Sequence, residues 1–365
     1  MPEPPLGDPK FTGARARALL GNRAASDSST ESTEGAGPPS DADAARMAKL
    51  IEHNAQVSPE TARAMAAEIV SNAQAAMQKL ENAETGAPLS DAESLALESV
   101  IHVRSRPALR VQSDVLESLG NYPGSELWQN FIADYEEGIM EAAAATGAVI
   151  VSKFGSGNPP WVQGSAWLIA PNRVLTNRHV LLSKGLKLIR RREDKPQLAS
   201  DVTLAIEFAA DNRSPAASVR HKITEVLYVA PDKDPVDIAV LAIEPAEDWT
   251  PLKFAGAGVS APKNLFVVGH PAPMANVPAA VKAVFGNPDG RKRVSFGKLL
   301  SGAPSPRDIL HDASTVGGYS GGPVVGITSG KVAGLHYYGD PASGNLAASA
   351  ATIQAHTSHK HWQSS

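Results

Sequence analysis

From residue 148 onward the chain is a succession of short apolar runs: AVIVSKF, SAWLIA, RVLTNRHVLL, VTLAIEFA, KITEVLYVA, DIAVLAIE, LFVVGH, VSFGKLL, PVVGIT and KVAGLHYYG. They are rich in β-branched residues and parted by Gly, Pro, Asn and Asp. Runs of that length and composition read as strands. Ten or so of them in about 200 residues predict a mainly β fold, either a sandwich or a pair of barrels.

The text before residue 148 is different. Residues 1–41 carry too few large apolar side chains to offset the entropy of ordering, so they are expected to form a disordered tail. Residues 42–147 are expected to be mainly helical. Ser58 is a good N-cap with Pro59 at the first helical position. Met65, Ile69, Ala73, Ala76, Met77 and Leu80 then recur at three- and four-residue spacing, one apolar stripe on a helix. Ser90-Asp91-Ala92-Glu93 is a capping-box pattern that starts a third helix. SVIHVRSRPALRVQ, residues 99–112, reads as a short strand pair broken near Pro107, and a further helix is expected from Ser125 to Gly147. No catalytic residue type clusters in this region, so it is expected to dock, or to regulate through a partner. Residues 356–365 read as a C-terminal tail.

Composition narrows the function classes. A chain of 365 residues exceeds the usual size of one domain. The 38 acidic and 34 basic residues give a formal net charge of -4, which predicts neither a nucleic-acid partner nor a membrane partner. There is no cysteine, which excludes disulfides, thiol nucleophiles and Cys-ligated zinc, and suits a reducing compartment. The N-terminus shows no apolar stretch of signal-peptide length and no run of 18 apolar residues occurs, so a cytoplasmic location is expected unless a signal was trimmed.

Three strand-associated sites carry chemistry. In 314-STVGGYSGGPVV-325, Ser320 is boxed by Gly317, Gly318, Gly321 and Gly322. A serine hydroxyl is a poor nucleophile unless a base takes its proton and a third group orients that base. His179 follows the strand RVLT, and Asp237 stands at the mouth of the strand DIAVLAIE, where Asp234 and Asp232 compete with it. GYSGG also fits the G-x-S-x-G nucleophile elbow, but that motif needs a following helix and a later Asp and His, whereas PVVGI reads as strand. The order His, Asp, Ser is that of the chymotrypsin-type triad.

These segments resemble bacterial trypsin-like serine peptidases of the chymotrypsin fold, closest in motif to the glutamyl endopeptidase branch. The resemblance covers roughly 145–355 and implies a chymotrypsin-like double β-barrel preceded by an α-helical region, with a peptidase domain over 148–355. It makes Ser320 the nucleophile, His179 the general base and then acid, and Asp237 the group that orients the imidazole. Gly318 and Ser320 would supply the oxyanion-hole amides. Ser314, Thr315, His336, Tyr337 and Gly339 would line the S1 pocket, Tyr337 to Gly339 pairing with the substrate as an added strand. In glutamyl endopeptidases the threonine and histidine of this pattern bind a P1 carboxylate, so acidic P1 residues are expected. The implied partner is a protein or peptide substrate, with no cofactor and no metal.

The chain also departs from the pattern. Tyr319 stands where vertebrate-type trypsins carry the Asp that binds a newly freed N-terminus. Ser314 stands where trypsins keep the acid that selects Arg or Lys. Tyr337 occupies a place often held by a serine bonded to the triad Asp. His270 reads as a strand end, and His356, His359 and His361 as a solvated tail. Arg190-Arg191-Arg192 and Arg291-Lys292-Arg293 read as exposed loop charges. Two function classes follow: an active serine endopeptidase, or a catalytically latent peptidase fold acting as a binding module.

Overall fold

Helical periodicity and β-branched alternation are both realised, and the two parts of the chain share a core. The computed structural model describes residues 39–357 except 82–89, 91, 94–95, 97–98, 101–105, 123, 184–185, 193–194, 210–219, 257–261, 275–276 and 341–343. Of the expected tails at 1–41 and 356–365, residues 1–38 and 358–365 lie outside the described residues. Asp41 opens a helix, and His356 lies in the last turn of another, half-buried with its Nε2 2.9 Å from the Tyr228 hydroxyl rather than solvated.

Helix α1 (Asp41–Ala55) opens on a reciprocal cap: the Asp43 carboxylate accepts from Ser40 N, and Ser40 Oγ accepts from Asp43 N. Helix α2 (Pro59–Glu81) opens as its sequence predicts, with Thr61 N donating to Ser58 Oγ at 3.2 Å. Its stripe is buried at Ile69, Ala73, Ala76 and Met77, and half-buried at Met65; the Leu80 side chain lies outside the described residues. The capping box at Ser90 also forms, Ser90 N and Glu93 N bonding the partner side chains at 2.8 and 3.3 Å.

Two expectations before residue 148 are corrected. Ser99 and Val100 are helical rather than extended, because Glu93, Ala96 and Val100 fall on one buried face at helical spacing. Residues 101–105 of the expected strand pair lie outside the described residues, and after Pro107 the chain forms β1 (Ala108–Gln112) and β2 (Val115–Leu116). Ser113 and Asp114 take φ of 49° and 66°, the pair of positive angles that a two-residue hairpin turn requires. Helix α3 (Gln129–Ala144) follows a single 3₁₀ turn, with no side-chain cap from Ser125, and Gly147 is not its stop. Gly147 lies in β3 (Thr146–Lys153), where a Cβ would come 2.5 Å from Ile206 Cγ1; glycine lets the strands close there.

Strand β3 continues into β4 (Trp161–Ala170) and β5 (Arg173–Thr176), then the short helix α4 (Arg178–Leu181). Two small hairpins follow, β6 (Leu182–Ser183) with β7 (Leu186–Lys187), and β8 (Ile189–Arg192) with β9 (Lys195–Leu198). Next come β10 (Val202–Glu207), β11 (Arg220–Val229) and β12 (Ala239–Ile243). The order β3-β4-β5-β12-β11-β10 closes on itself as an antiparallel six-stranded barrel.

The second barrel uses β13 (Asn264–Gly269), β14 (Arg293–Leu300), β15 (Asp308–His311), β16 (Pro323–Gly326), β17 (Val332–Asp340) and β18 (Gly344–Ser349). Their order β13-β16-β17-β18-β15-β14 also closes, through β13 to β14. The fold is therefore a chymotrypsin-like double barrel with a helical N-terminal region. Helices α5 (Ala279–Phe285) and α6 (Ala350–Thr357) complete it.

The N-terminal region belongs to the second barrel's core. β1 extends the sheet beyond β14 in the register Ala108 with Ser295 and Arg110 with Arg293. Trp128 is fully buried with its ring 5.5 Å from that of Phe296. Asn54 Nδ2 donates to Ala283 O and Val284 O at 3.0 and 3.3 Å, fastening α1 to α5. The basic run at 291–293 is corrected too: Lys292 and Arg293 are buried, and Lys292 Nζ donates to Phe208 O of the first barrel at 2.6 Å. A buried cation needs such partners.

Candidate active site

Strand β5 ends at Thr176, and the chain turns at once into the single helical turn that carries His179. Asp237 sits two residues ahead of β12, the strand paired with β5 in the register Ala239 with Thr176. The neighbouring strands thus deliver the two residues to one place. Asn177 Nδ2 donates to Asp237 O at 2.8 Å, and the Asp237 carboxylate accepts from His179 N at 3.0 Å and meets His179 Nδ1 at 2.5 Å. With Nδ1 as donor, the other ring nitrogen, Nε2, is the basic one. Burial pushes the Asp237 carboxyl up, but the hydrogen bond and charge of His179, with the Arg178 guanidinium, outweigh it and hold the group below the usual carboxylate range.

The competing acids are used elsewhere. Asp234 accepts from Val236 N at 2.9 Å and lies 3.2 Å from His356 Nε2, while Asp232 is exposed. Arg178 ties their loop down by donating to the carbonyls of Pro231 and Asp234.

Ser320 ends the turn that precedes β16, and the glycines around it are set by backbone crowding. Gly318 takes φ of +103°, and a Cβ there would lie 2.1 Å from His270 O. Gly321 takes φ of +89°, and its Cβ would lie 2.0 Å from Ser165 O. Tyr319 N donates to Val316 O at 3.1 Å, whereas no described residue accepts from Gly318 N or Ser320 N. Tyr319 itself is buried in the second barrel, its hydroxyl 2.8 Å from Ser295 Oγ and its ring against Phe285.

Ser165 on β4 joins this turn to the first barrel. Its N–H donates to Ser320 O and its hydroxyl to Gly318 O, both at 2.8 Å, and Thr176 Oγ1 donates to Ser165 O at 2.7 Å. The neighbouring Gly164 is crowded from both sides: a Cβ there would lie 2.8 Å from Val180 Cγ2 and 3.0 Å from Ser320 O. His179 and Ser320 therefore flank the same strand of the first barrel.

The residues expected to line S1 separate into two groups. Thr315, His336, Tyr337 and Gly339 lie near the Ser320 turn. His336 is pinned to it by two backbone bonds, Gly321 N to His336 O at 2.9 Å and His336 N to Gly322 O at 3.0 Å. A Cβ on Gly339 would lie 3.1 Å from Thr315 Oγ1, so those two face each other. The hydroxyl of fully buried Ser314 turns the other way and donates to Arg106 O at 2.6 Å. Tyr337 bonds Asp308, not the Asp237 carboxylate.

Beneath this group is a pair of buried imidazoles, the rings of His311 and His336 5.4 Å apart. Burial lowers both: His311 to about 4, and His336 well below the ordinary histidine value, helped by the neighbouring His311 and His179. Both are neutral at pH 7. Asn345 on β18 completes the group: its Nδ2 donates to Ala313 O at 2.5 Å, and its Oδ1 lies 2.8 Å from the Cβ position of Gly339. Ser165, His311, Asn345 and Arg106 were not singled out in the sequence. Of the other histidines, buried His270 ends β13 and is lowered to about 3, mainly by burial.

The double barrel thus carries a carboxylate-bound histidine on the first barrel and, across Ser165, a serine in a glycine turn of the second. Residues 164–335 match the family model described as "Trypsin-like peptidase domain", and the chain is similar to that family over this stretch. No curated protein matches the chain. Among solved structures it is similar to the serine endoprotease from Yersinia pestis, at 17% identity and TM-score 0.40, over 60% of this chain and 64% of that one. It is also similar to the HtrA-type protease AlgW with decapeptide, at 15% identity and TM-score 0.41, over 61% and 66%. A third is Rv3671c from M. tuberculosis H37Rv in an inactive form, at 18% identity and TM-score 0.35, over 62% and 87%.

Proposed function

We propose that the protein is a serine endopeptidase working through an acyl-enzyme, with Ser320 as nucleophile, His179 as general base and then acid, and Asp237 as the orienting carboxylate. One observation carries the reading: Asp237 accepts from both the backbone N–H and the Nδ1 of His179, so the ring is fixed in the tautomer that leaves Nε2 able to take the serine proton. The amides of Gly318 and Ser320 serve the oxyanion, a role that suits their lack of partners among the described residues.

The specificity proposed is for acidic P1 residues. Thr315 Oγ1 and the His336 imidazole supply donors to a carboxylate, which would otherwise be costly to bury. The helices of the N-terminal region offer a surface to a regulatory partner. A latent binding module is the alternative, and it gives no physical reason for one carboxylate to hold His179 by both its ring and its backbone.

The test is labelling by a fluorophosphonate probe, with Ser320→Ala and His179→Ala as controls. Covalent labelling of the wild type, lost in both variants while their thermal unfolding stays cooperative, is expected. A folded Ser320→Ala protein that hydrolyses peptides and labels as well as the wild type would overturn the assignment.

A further inference from the structure

The segment ahead of the first barrel reaches the wall of the candidate site from behind. Arg106 is buried, and its Nη2 donates to the buried Asp312 carboxylate at 2.6 Å. Its carbonyl accepts from Ser314 Oγ, also at 2.6 Å. The second carboxylate oxygen of Asp312 accepts from Lys298 N at 2.6 Å, and Asp312 N donates back to Lys298 O at 3.2 Å. Residues 312–314 are thus held between β14 on one side and Arg106 on the other. They run straight into Thr315 and the turn that ends at Ser320.

Arg106 is itself well fixed. Pro107 O accepts from Phe296 N at 3.0 Å, β1 then pairs with β14, and the guanidinium carbon lies 5.8 Å from the centre of the Trp128 ring. A planar guanidinium stacked on an indole and paired with a carboxylate has little freedom left.

We infer that Arg106 is a positioning residue of the peptidase site: its side chain and carbonyl together set residues 312–314, and through them the S1 wall and the oxyanion turn. The inference rests on the endopeptidase reading and adds a link to it. Trypsin-like enzymes that brace this region with a freed N-terminus need an acid beside the nucleophile, and here that place is Tyr319. The brace in this chain arrives from outside the turn, on a segment continuous with the helical region. Removing one partner of a buried ion pair leaves the other charge buried without compensation. Undocking of Arg106 would therefore release the wall of the pocket, and activity is linked to how this one residue is seated.

The experiment compares the full chain with Arg106→Met, Arg106→Lys, Ser314→Ala and Asn54→Ala by fluorophosphonate labelling at saturation, which separates the maximal rate from the binding constant, and by thermal unfolding. Asn54→Ala is the control, since it loosens α1 from α5 and from Arg110 without touching Arg106 or residues 312–314. Expected are a fall of about 10²-fold in labelling efficiency for Arg106→Met, as for misplacement of reacting groups by an ångström, partial recovery in Arg106→Lys, and a smaller fall in Ser314→Ala. Asn54→Ala should lower the unfolding temperature yet label within about twofold of wild type. A folded Arg106→Met that labels at the Asn54→Ala rate overturns the inference. If Arg106→Met does not fold, Ser314→Ala decides: wild-type labelling there overturns it equally. A wild type that does not label at all sinks the endopeptidase reading and takes this one with it, whereas the other two failures leave that reading standing.

Discussion

Gly318→Ala tests the geometry of the oxyanion turn with a single methyl group. At φ of +103° an L-residue is strained by about 1–2 kcal/mol before any contact is counted. The new Cβ would sit 2.1 Å from His270 O and 2.5 Å from Ala272 N, and both are backbone atoms that no rotamer change can clear. Ala272 N is bonded to Gly317 O at 2.7 Å, and Gly318 O holds Ser165 Oγ, so neither side gives without losing a bond. The turn must therefore rotate, and the amide of residue 318 with it. Losing one oxyanion donor costs about 2.7–4 kcal/mol of transition-state stabilisation, or about 10²–10³ in kcat. Strain and overpacking should cost about 1–3 kcal/mol of stability as well. The assay is kcat on a cleaved peptide beside thermal unfolding, with Gly317→Ala as control, since a Cβ on exposed Gly317 meets no atom within 4 Å. A folded Gly318→Ala protein with kcat within about tenfold of wild type, a change worth only about 1.4 kcal/mol, would refute the reasoning.

Asp237→Asn should lose about 10⁴ in kcat by favouring the tautomer with Nε2–H, while Asp234→Asn, whose carboxylate serves Val236 N and His356, should stay close to wild type in the same peptide assay; the reverse pattern would reassign the acid. The third expectation concerns pH. His336 is held neutral in the free protein, and a P1 carboxylate beside it favours the imidazolium, so Glu binds with proton uptake and Gln does not. The ratio of kcat/KM for matched Glu and Gln peptides should therefore rise as pH falls from about 8 to about 6, above the range where the substrate carboxyl itself protonates near 4.3; a flat ratio near one would remove the acidic-P1 reading.

Much of the second half was legible because its strands carry their own signals. Every β-branched run read from residue 148 onward contains a strand, and the alternatives of sandwich and barrels were separated by the closing pairs. Two barrel strands escaped notice. β18 is written GNLAAS, small residues with no β-branched member, and β15 is the four-residue DILH; both are defined by their neighbours and by each other, in the register His311 with Asn345. Missing them hid the imidazole pair and Asn345, which the two strands bring to the candidate pocket. The N-terminal region was legible in its caps and stripes, but not in its destination. Nothing local in RPALRVQ says that it will pair with β14, since that edge is presented by residues some 185 positions later in the chain, as in Ala108 with Ser295. A truncation that begins near Ala148 would consequently strip β1, β2 and the partner of Asp312, and would not leave the second barrel's sheet intact.

Ser165 shows why the site's registration left no motif. His179 stands on the first barrel and Ser320 on the second, so their separation depends on how the barrels meet. Ser165 fixes that meeting with atoms every serine has. Its N–H and hydroxyl hold Ser320 O and Gly318 O, its hydroxyl also accepts from His270 N at 3.1 Å, and its carbonyl accepts from Thr176, three residues before the histidine. Three of the four bonds go to backbone groups of the second barrel, so the sequence at the receiving positions is free of side-chain constraint. The constraint falls instead on the absence of side chains: Gly164 and Gly321 leave room for the approach, and a Cβ on Gly321 would strike both Ser165 O and Thr176 Oγ1, at 2.0 and 2.4 Å. The glycines around Ser320 thus serve two demands at once, the positive φ angles of the turn and the close seating of one barrel on the other.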